Sequence, residues 1–152
     1  MHIVLIEPEI PQNTGNISRT CALTKSTLHL VGQLGFSLED RFLKRAGLDY
    51  WEHVKLVRWD SFDDLLAAYP DGCFRLATTK ATQSYDQIEY GPDDFLVFGC
   101  ETKGLPQSIL DRFPGKGLRI PMLPIGRSLN LSNSVAVILF EALRQQGFPD
   151  IQ

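Results

Sequence analysis

The chain lacks any apolar run approaching the roughly 18 residues of a membrane-spanning helix; its longest, Val135–Phe140, is far shorter. Glu7 and Pro8 interrupt the first apolar stretch, unlike the core of a signal peptide. These absences lead to the expectation of a cytoplasmic protein with no membrane contact. Cysteine is scarce as well. Cys21, Cys73 and Cys100 lie far apart, no C-x-x-C pair occurs, and His2, His29 and His53 share no ligand spacing with them. No disulfide and no metal site is therefore expected. Charge of one sign is also missing: the formal net charge is −3, with 22% of residues charged. Phosphate contacts need Lys or Arg to release counterions, so a nucleic-acid face would have to be local. Finally, neither G-x-G-x-x-G nor G-x-x-x-x-G-K-[ST] is present, which disfavours the standard dinucleotide and nucleoside-triphosphate loops.

What is present reads as one soluble domain over residues 1–152, long enough to bury about two-thirds of its unfolded surface. Hydrophobic residues make up 43%, an ordinary globular share. Short β-branched apolar stretches bounded by Gly, Pro or Asp predict strands at His2–Ile6, Leu28–Val31, Lys55–Trp59, Phe74–Thr78, Phe95–Phe98 and Leu118–Pro121. Helical patterns fall between and after them at Thr14–Thr24, Leu38–Arg45, Phe62–Ala68, Pro106–Arg112 and Ser132–Gln145. Alternation of this kind predicts an α/β fold, a mostly parallel sheet with helices on both faces. Sheets of that type bind ligands beyond the carboxyl ends of their strands, which directs attention to the loops after Thr78, Phe98 and Ile120.

Three segments could carry chemistry. The first, Pro11-Gln12-Asn13-Thr14-Gly15-Asn16-Ile17-Ser18-Arg19-Thr20-Cys21, is a polar turn opening a helix; its N–H groups and Arg19 suit an anion, and the same residues also read as a helix cap with a surface arginine. The second, Phe98-Gly99-Cys100-Glu101-Thr102-Lys103-Gly104-Leu105-Pro106, puts glycines on either side of an acid, as a close ligand approach or a plain tight turn would. The third runs from Ile120-Pro121-Met122 through Arg127-Ser128-Leu129-Asn130-Leu131-Ser132-Asn133-Ser134 into an apolar helix, where Asn130 or Ser132 is also a natural cap. Separately, Arg41, Lys44, Arg45, His53, Lys55 and Arg58, interleaved with Tyr50, Trp51 and Trp59, form the most basic stretch. Trp51 or Tyr50 there could stack on an unpaired base, although Asp40, Asp49 and Glu52 dilute the charge.

In order, spacing and residue types, the three segments together resemble the three motifs of the SPOUT methyltransferases, in their TrmH-like branch, and the resemblance covers nearly the whole chain. The opening Val4-Leu5-Ile6-Glu7-Pro8-Glu9-Ile10-Pro11-Gln12-Asn13-Thr14-Gly15-Asn16-Ile17, the middle Arg45-Ala46-Gly47-Leu48-Asp49-Tyr50 and the closing Asn130-Leu131-Ser132-Asn133 are similar to the members that modify the wobble nucleotide of tRNA. The resemblance implies methyl transfer from S-adenosyl-L-methionine (AdoMet) to the ribose 2′-OH of a wobble cytidine or uridine, in a leucine tRNA. It implies a C-terminal trefoil knot and a homodimer built on the final helix and the first motif. It also implies AdoMet held largely by main-chain groups around Ala77, Thr78, Gly99, Glu101, Gly104, Ile120, Met122, Leu123, Ser128 and Leu129. Arg19, Asn13 and Asn130 are the implied catalytic residues. Because a guanidinium stays protonated, Arg19 is expected to position a phosphate and stabilise charge on the ribose oxygen, not to act as a base. Glu101 is expected to face the cofactor's positive end or to pair with a nearby Lys or Arg. Arg41, Lys44, Arg45 and Trp51 are the expected RNA contacts. The alternatives are 2′-O-methylation of another RNA, such as ribosomal RNA, and a non-catalytic, flavodoxin-like phosphate-binding module.

Overall fold

A computed structural model of the chain describes residues 1–39, 50–149 and 151. The strands are β1 (His2–Ile6), β2 (Thr27–Val31), β3 (Lys55–Trp59), β4 (Phe74–Ala77), β5 (Phe95–Phe98) and β6 (Gly117–Leu118). They form one sheet in the order β3-β2-β1-β5-β4-β6, with every pairing parallel. The helices are α1 (Pro11–Leu23), α2 (Phe62–Ala68), α3 (Gln107–Leu110) and α4 (Leu131–Gln145). The helix expected over Leu38–Arg45 falls almost wholly on residues 40–49, outside the described residues.

Alternation along the strands sorts the core into two layers. Ile3 and Leu5 of β1, Leu28 and Leu30 of β2, and Leu96 and Phe98 of β5 point to the face that Ile17 and Cys21 of α1 and Val135, Ile138, Leu139 and Ala142 of α4 cover. Val4, Ile6, Val31 and Val97 point the other way, against Phe62 and Leu65 of α2 and Ile109 of α3. The central β1 is therefore apolar from Ile3 to Ile6, the mark of a parallel strand covered on both sides. Full burial of each of its aliphatic side chains is worth roughly 2 kcal/mol. Covered faces also explain why β1 and β5 are so plain in the sequence.

Three expected elements differ by more than one residue at an end. β6 is shorter than Leu118–Pro121 because Arg119 leaves the β4 ladder: its N–H donates to the Gln83 carbonyl at 2.9 Å and its carbonyl accepts from the Tyr85 N–H at 2.9 Å. α3 is a single turn. α1 begins at Pro11, ahead of Thr14, because proline suits the first helical position, where no N–H is needed. The sheet order reverses direction between β1 and β5, and all carboxyl ends lie at one edge, the place where such sheets take ligands.

Candidate active site

At that edge the loops after β1, β4, β5 and β6 surround a cavity of about 420 Å³, within the size range of small-molecule sites. Its wall includes Ala77 and Thr78 after β4, Gly99, Glu101 and Gly104 after β5, and Ile120, Met122, Ser128, Leu129 and Asn130 after β6, with Asn13 of α1. Leu123, expected among the cofactor contacts, is 72% exposed and is not part of the wall. The loop after β5 turns back so tightly that a Cβ at Gly99 would lie 1.9 Å from the carbonyl carbon of Gly104. Only glycine fits. Gly104 itself takes φ +69°, the left-handed region that favours glycine, and its N–H donates to the Cys100 carbonyl at 3.0 Å.

Asn13 joins the three motifs. It is 5% exposed; its Nδ2 donates to Glu101 Oε1 at 3.1 Å, and its Oδ1 accepts from Asn130 Nδ2 at 2.9 Å. Asn130 Oδ1 in turn accepts from the N–H groups of Ser132 (2.9 Å) and Asn133 (3.3 Å), capping α4. The cap and the site are one residue. Glu101 lines the cavity, and its carboxylate accepts from the N–H groups of Glu9 (2.8 Å) and Ile10 (3.1 Å) and from Asn13, pairing with no Lys or Arg among the described residues. It thus serves α1 as an N-terminal anion reached from far along the chain. Ile10, the residue preceding the helix, has no side chain able to do this. A reciprocal pair completes the clasp: the Glu9 carboxylate accepts from Thr102 N–H (3.1 Å) and Oγ1 (2.9 Å). Sequence reasoning missed Glu9 and Thr102, whose contact spans 93 positions.

Arg19 stands apart from the cavity. It lies six residues beyond Asn13 on α1, roughly 240° round the helix. Its guanidinium sits 4.7 Å over the Tyr50 ring and its Nη2 donates to the Tyr50 hydroxyl at 3.4 Å. Tyr50 thus has one ring face taken. Trp51, partly exposed, opens the short 3₁₀ turn Trp51–His53. Arg41, Lys44 and Arg45 lie outside the described residues. Four cations that sequence reasoning did not single out, Lys80, Lys103, Arg119 and Arg127, all line the cavity. The available signal was a cation soon after the end of each of β4, β5 and β6.

Behind the sheet, His29 is fully buried; its Nδ1 accepts from Trp59 Nε1 at 2.9 Å, so its Nε2 carries the proton and donates to His2 Nδ1 at 2.9 Å. Burial first, then the neighbouring His2 and Lys55, push its pKa down to about 4. Burial lowers His2 as well. This pair is structural, and no group of His, Cys, Asp and Glu suited to a metal occurs among the described residues. Among those residues, too, no helix is long and apolar enough to cross a membrane.

A loop-walled cavity at the carboxyl edge of a parallel sheet, bound together by paired asparagines, is the small-molecule site of an α/β domain. The model of the SpoU rRNA Methylase family matches residues 1–140, and the chain belongs to that family. The tRNA (cytidine(34)-2′-O)-methyltransferase of Escherichia coli (strain K12) is 49% identical over 151 residues, covering 98% of this chain and 96% of that one. A solved structure concerned with the 2-OH methylation of C/U34 on tRNA superposes with a TM-score of 0.92 at 45% identity, covering 96% of this chain and 95% of that one. The AdoMet-bound rRNA methyltransferase of Sinorhizobium meliloti has a TM-score of 0.84 at 26% identity, covering 94% of this chain and 55% of that one.

Proposed function

We propose that the chain methylates the ribose 2′-OH of the wobble cytidine or uridine in a tRNA anticodon, using AdoMet. The observation that carries this reading is Asn13, whose two hydrogen bonds draw the cofactor loops after β5 and β6 onto the helix that bears Arg19. The cavity suits the cofactor. Ala77, Phe98, Leu118, Ile120, Met122 and Leu129 supply apolar surface for a base and for the carbons around a sulfonium, and the glycine turns expose main-chain groups. When bound, AdoMet supplies an electrophilic methyl carbon on sulfur.

The chain's task is then to place the ribose oxygen in line with that carbon, to accommodate the proton it releases, and to exclude competing water. Asn13 and Asn130 spend their amides on each other and on Glu101 and α4, so they act as positioning residues. Arg19 supplies positive charge toward a phosphate and the developing alkoxide. Since it faces away from its own cavity, it acts on the site of a second copy. Leu23 of α1 (55% exposed) and Val137 and Phe140 of α4 (37% and 46%) offer the apolar surface for that homodimer. The path from β5 to the edge strand β6 and back to α4, which Gln145 ties to Ile88 and Tyr90, supports a trefoil knot in a single domain over residues 1–152. The chain acts in the cytoplasm, where its tRNA substrate is, a leucine tRNA by the resemblance.

Labelled AdoMet incubated with total tRNA, followed by product mapping, tests the reading, because a 2′-O-methyl blocks alkaline cleavage beside it. Wild type should give one protected wobble linkage and Arg19→Ala almost none. No label in tRNA, label at another ribose, or label on a base would overturn the assignment.

A further inference from the structure

Lys80, Lys103, Arg119 and Arg127 line one cavity whose sole acidic wall residue is Glu101, on a chain of net charge −3. All four are exposed. Lys80 Nζ donates to the neutral Gln107 Oε1 at 3.2 Å. Lys103, Arg119 and Arg127 make no side-chain hydrogen bond or ion pair with the described residues. Glu101 offsets little, since its oxygens already accept three N–H groups.

The proposed cofactor does not account for this charge. AdoMet carries a carboxylate, an ammonium and a sulfonium, a net charge of about +1 at neutral pH, the carboxyl and amino groups cancelling. One cation could serve the carboxylate; the other three repel the ligand as a whole. A polyanion sharing the cavity mouth removes the conflict. We infer that Lys103, Arg119 and Arg127 form the phosphate track for the RNA backbone flanking the target ribose. Lys103 stands in the loop after β5, and Arg119 and Arg127 in the loop after β6, so a chain of phosphates crossing the mouth between these two loops meets cations from both. The inference rests on the proposed RNA methyltransferase reading and relocates the main electrostatic RNA contact from the 41–58 stretch to the rim of the cavity.

The test is the salt dependence of binding to an anticodon stem-loop RNA at saturating S-adenosylhomocysteine (AdoHcy), for wild type and a Lys103→Gln/Arg119→Gln/Arg127→Gln variant. Each lost phosphate contact in a single strand should lower the slope of log K against log salt by about 0.7, so the slope should fall by about 2 and affinity at 0.1 M salt by on the order of tenfold or more. Arg119→Lys/Arg127→Lys, which keeps the charge, should hold the wild-type slope. AdoHcy affinity measured by calorimetry without RNA should fall far less than RNA affinity, and urea unfolding reports an intact fold. An unchanged slope overturns the inference, and so does a tenfold loss of AdoHcy affinity with the slope intact, which would assign the cations to the cofactor. Failure of wild type to methylate any tRNA would instead sink the proposed function, and the slope would then be read on its own.

Discussion

Glu101→Gln separates two roles for one acid. If the carboxylate faced the cofactor, neutralising it would weaken binding and leave folding alone. The geometry predicts otherwise, because its oxygens accept from the N–H groups of Glu9 and Ile10 and from Asn13 Nδ2. Glutamine retains one carbonyl oxygen but turns an NH₂ toward a backbone N–H, so at least one bond becomes a donor facing a donor. Hydrogen bonds to a charged group are worth about 1.5–3 kcal/mol each, and an anion at a helix N-terminus adds about 0.3–1. With Glu101 partly exposed, the low end applies, and the expected loss is about 2 kcal/mol. For a domain of this size that lowers Tm by roughly 4–8 °C. If about 1.4 kcal/mol of the loss falls on the loop that walls the cavity, AdoHcy binds about tenfold more weakly. Urea unfolding and calorimetry measure the two effects, and a cycle with Asn13→Ala should reveal coupling of about 1 kcal/mol between the sites. An unchanged urea midpoint together with abolished AdoHcy binding would refute the reasoning and restore a direct ligand role.

Other consequences are simpler to check. Thr14 is fully buried and its Oγ1 has no partner among the described residues, so Thr14→Val should be neutral or stabilising by up to about 1–2 kcal/mol in urea unfolding. Gly99→Ala should remove AdoHcy binding, since the added carbon overlaps the Gly104 main chain, whereas Gly126→Ala, with open space around it, should bind normally in the same calorimetric assay. Arg19→Lys should lose most methyl transfer yet keep AdoHcy affinity, because Arg19 lies outside the cavity wall; normal turnover would remove its assigned role. His29 makes stability fall in mild acid. Its native pKa of about 4 lies below the unfolded value near 6.5, so its contribution is whole above pH 6.5 and is lost as pH drops toward 4, by up to about 3 kcal/mol. Urea midpoints at pH 7.5 and 5 should show that loss in wild type, and a smaller one in His29→Gln.

The fold was legible wherever burial acts on contiguous residues. β1 and β5 are covered on both faces, and their unbroken apolar stretches mark the strands that the structure contains. α2 was equally plain, because its Ser61–Asp64 capping box is local in sequence. Features set by distant partners were not legible. The start of α1 depends on a carboxylate 91 positions away, and the end of β6 depends on Gln83 and Tyr85. No periodicity encodes either. The His2–His29 pair is of the same kind, because the two residues lie 27 positions apart and meet only through the pairing of β1 with β2.

The site shows why the local alternatives could not be decided one motif at a time. Asn130 was open to reading as a helix cap or as a site residue, and the two descriptions turn out to depend on each other. Binding its Oδ1 to the first N–H groups of α4 fixes the side-chain rotamer, and that rotamer aims Nδ2 at Asn13. Asn13, held in this way, directs its own Nδ2 to Glu101, which anchors the N-terminus of the helix carrying Asn13. Each residue is oriented by a bond made for stability and uses its remaining group to orient the next. A substitution at any of the three should therefore disturb the other two, and a cap-preserving Asn130→Asp variant is the sharpest case. Aspartate can still accept from Ser132 and Asn133, but it has no N–H for Asn13 and brings a second carboxylate into the chain that ends at Glu101. α4 should remain folded with near-normal stability, while AdoHcy affinity falls by roughly tenfold, the loss of about 1.4 kcal/mol expected when one partly buried hydrogen bond is replaced by opposed acceptors.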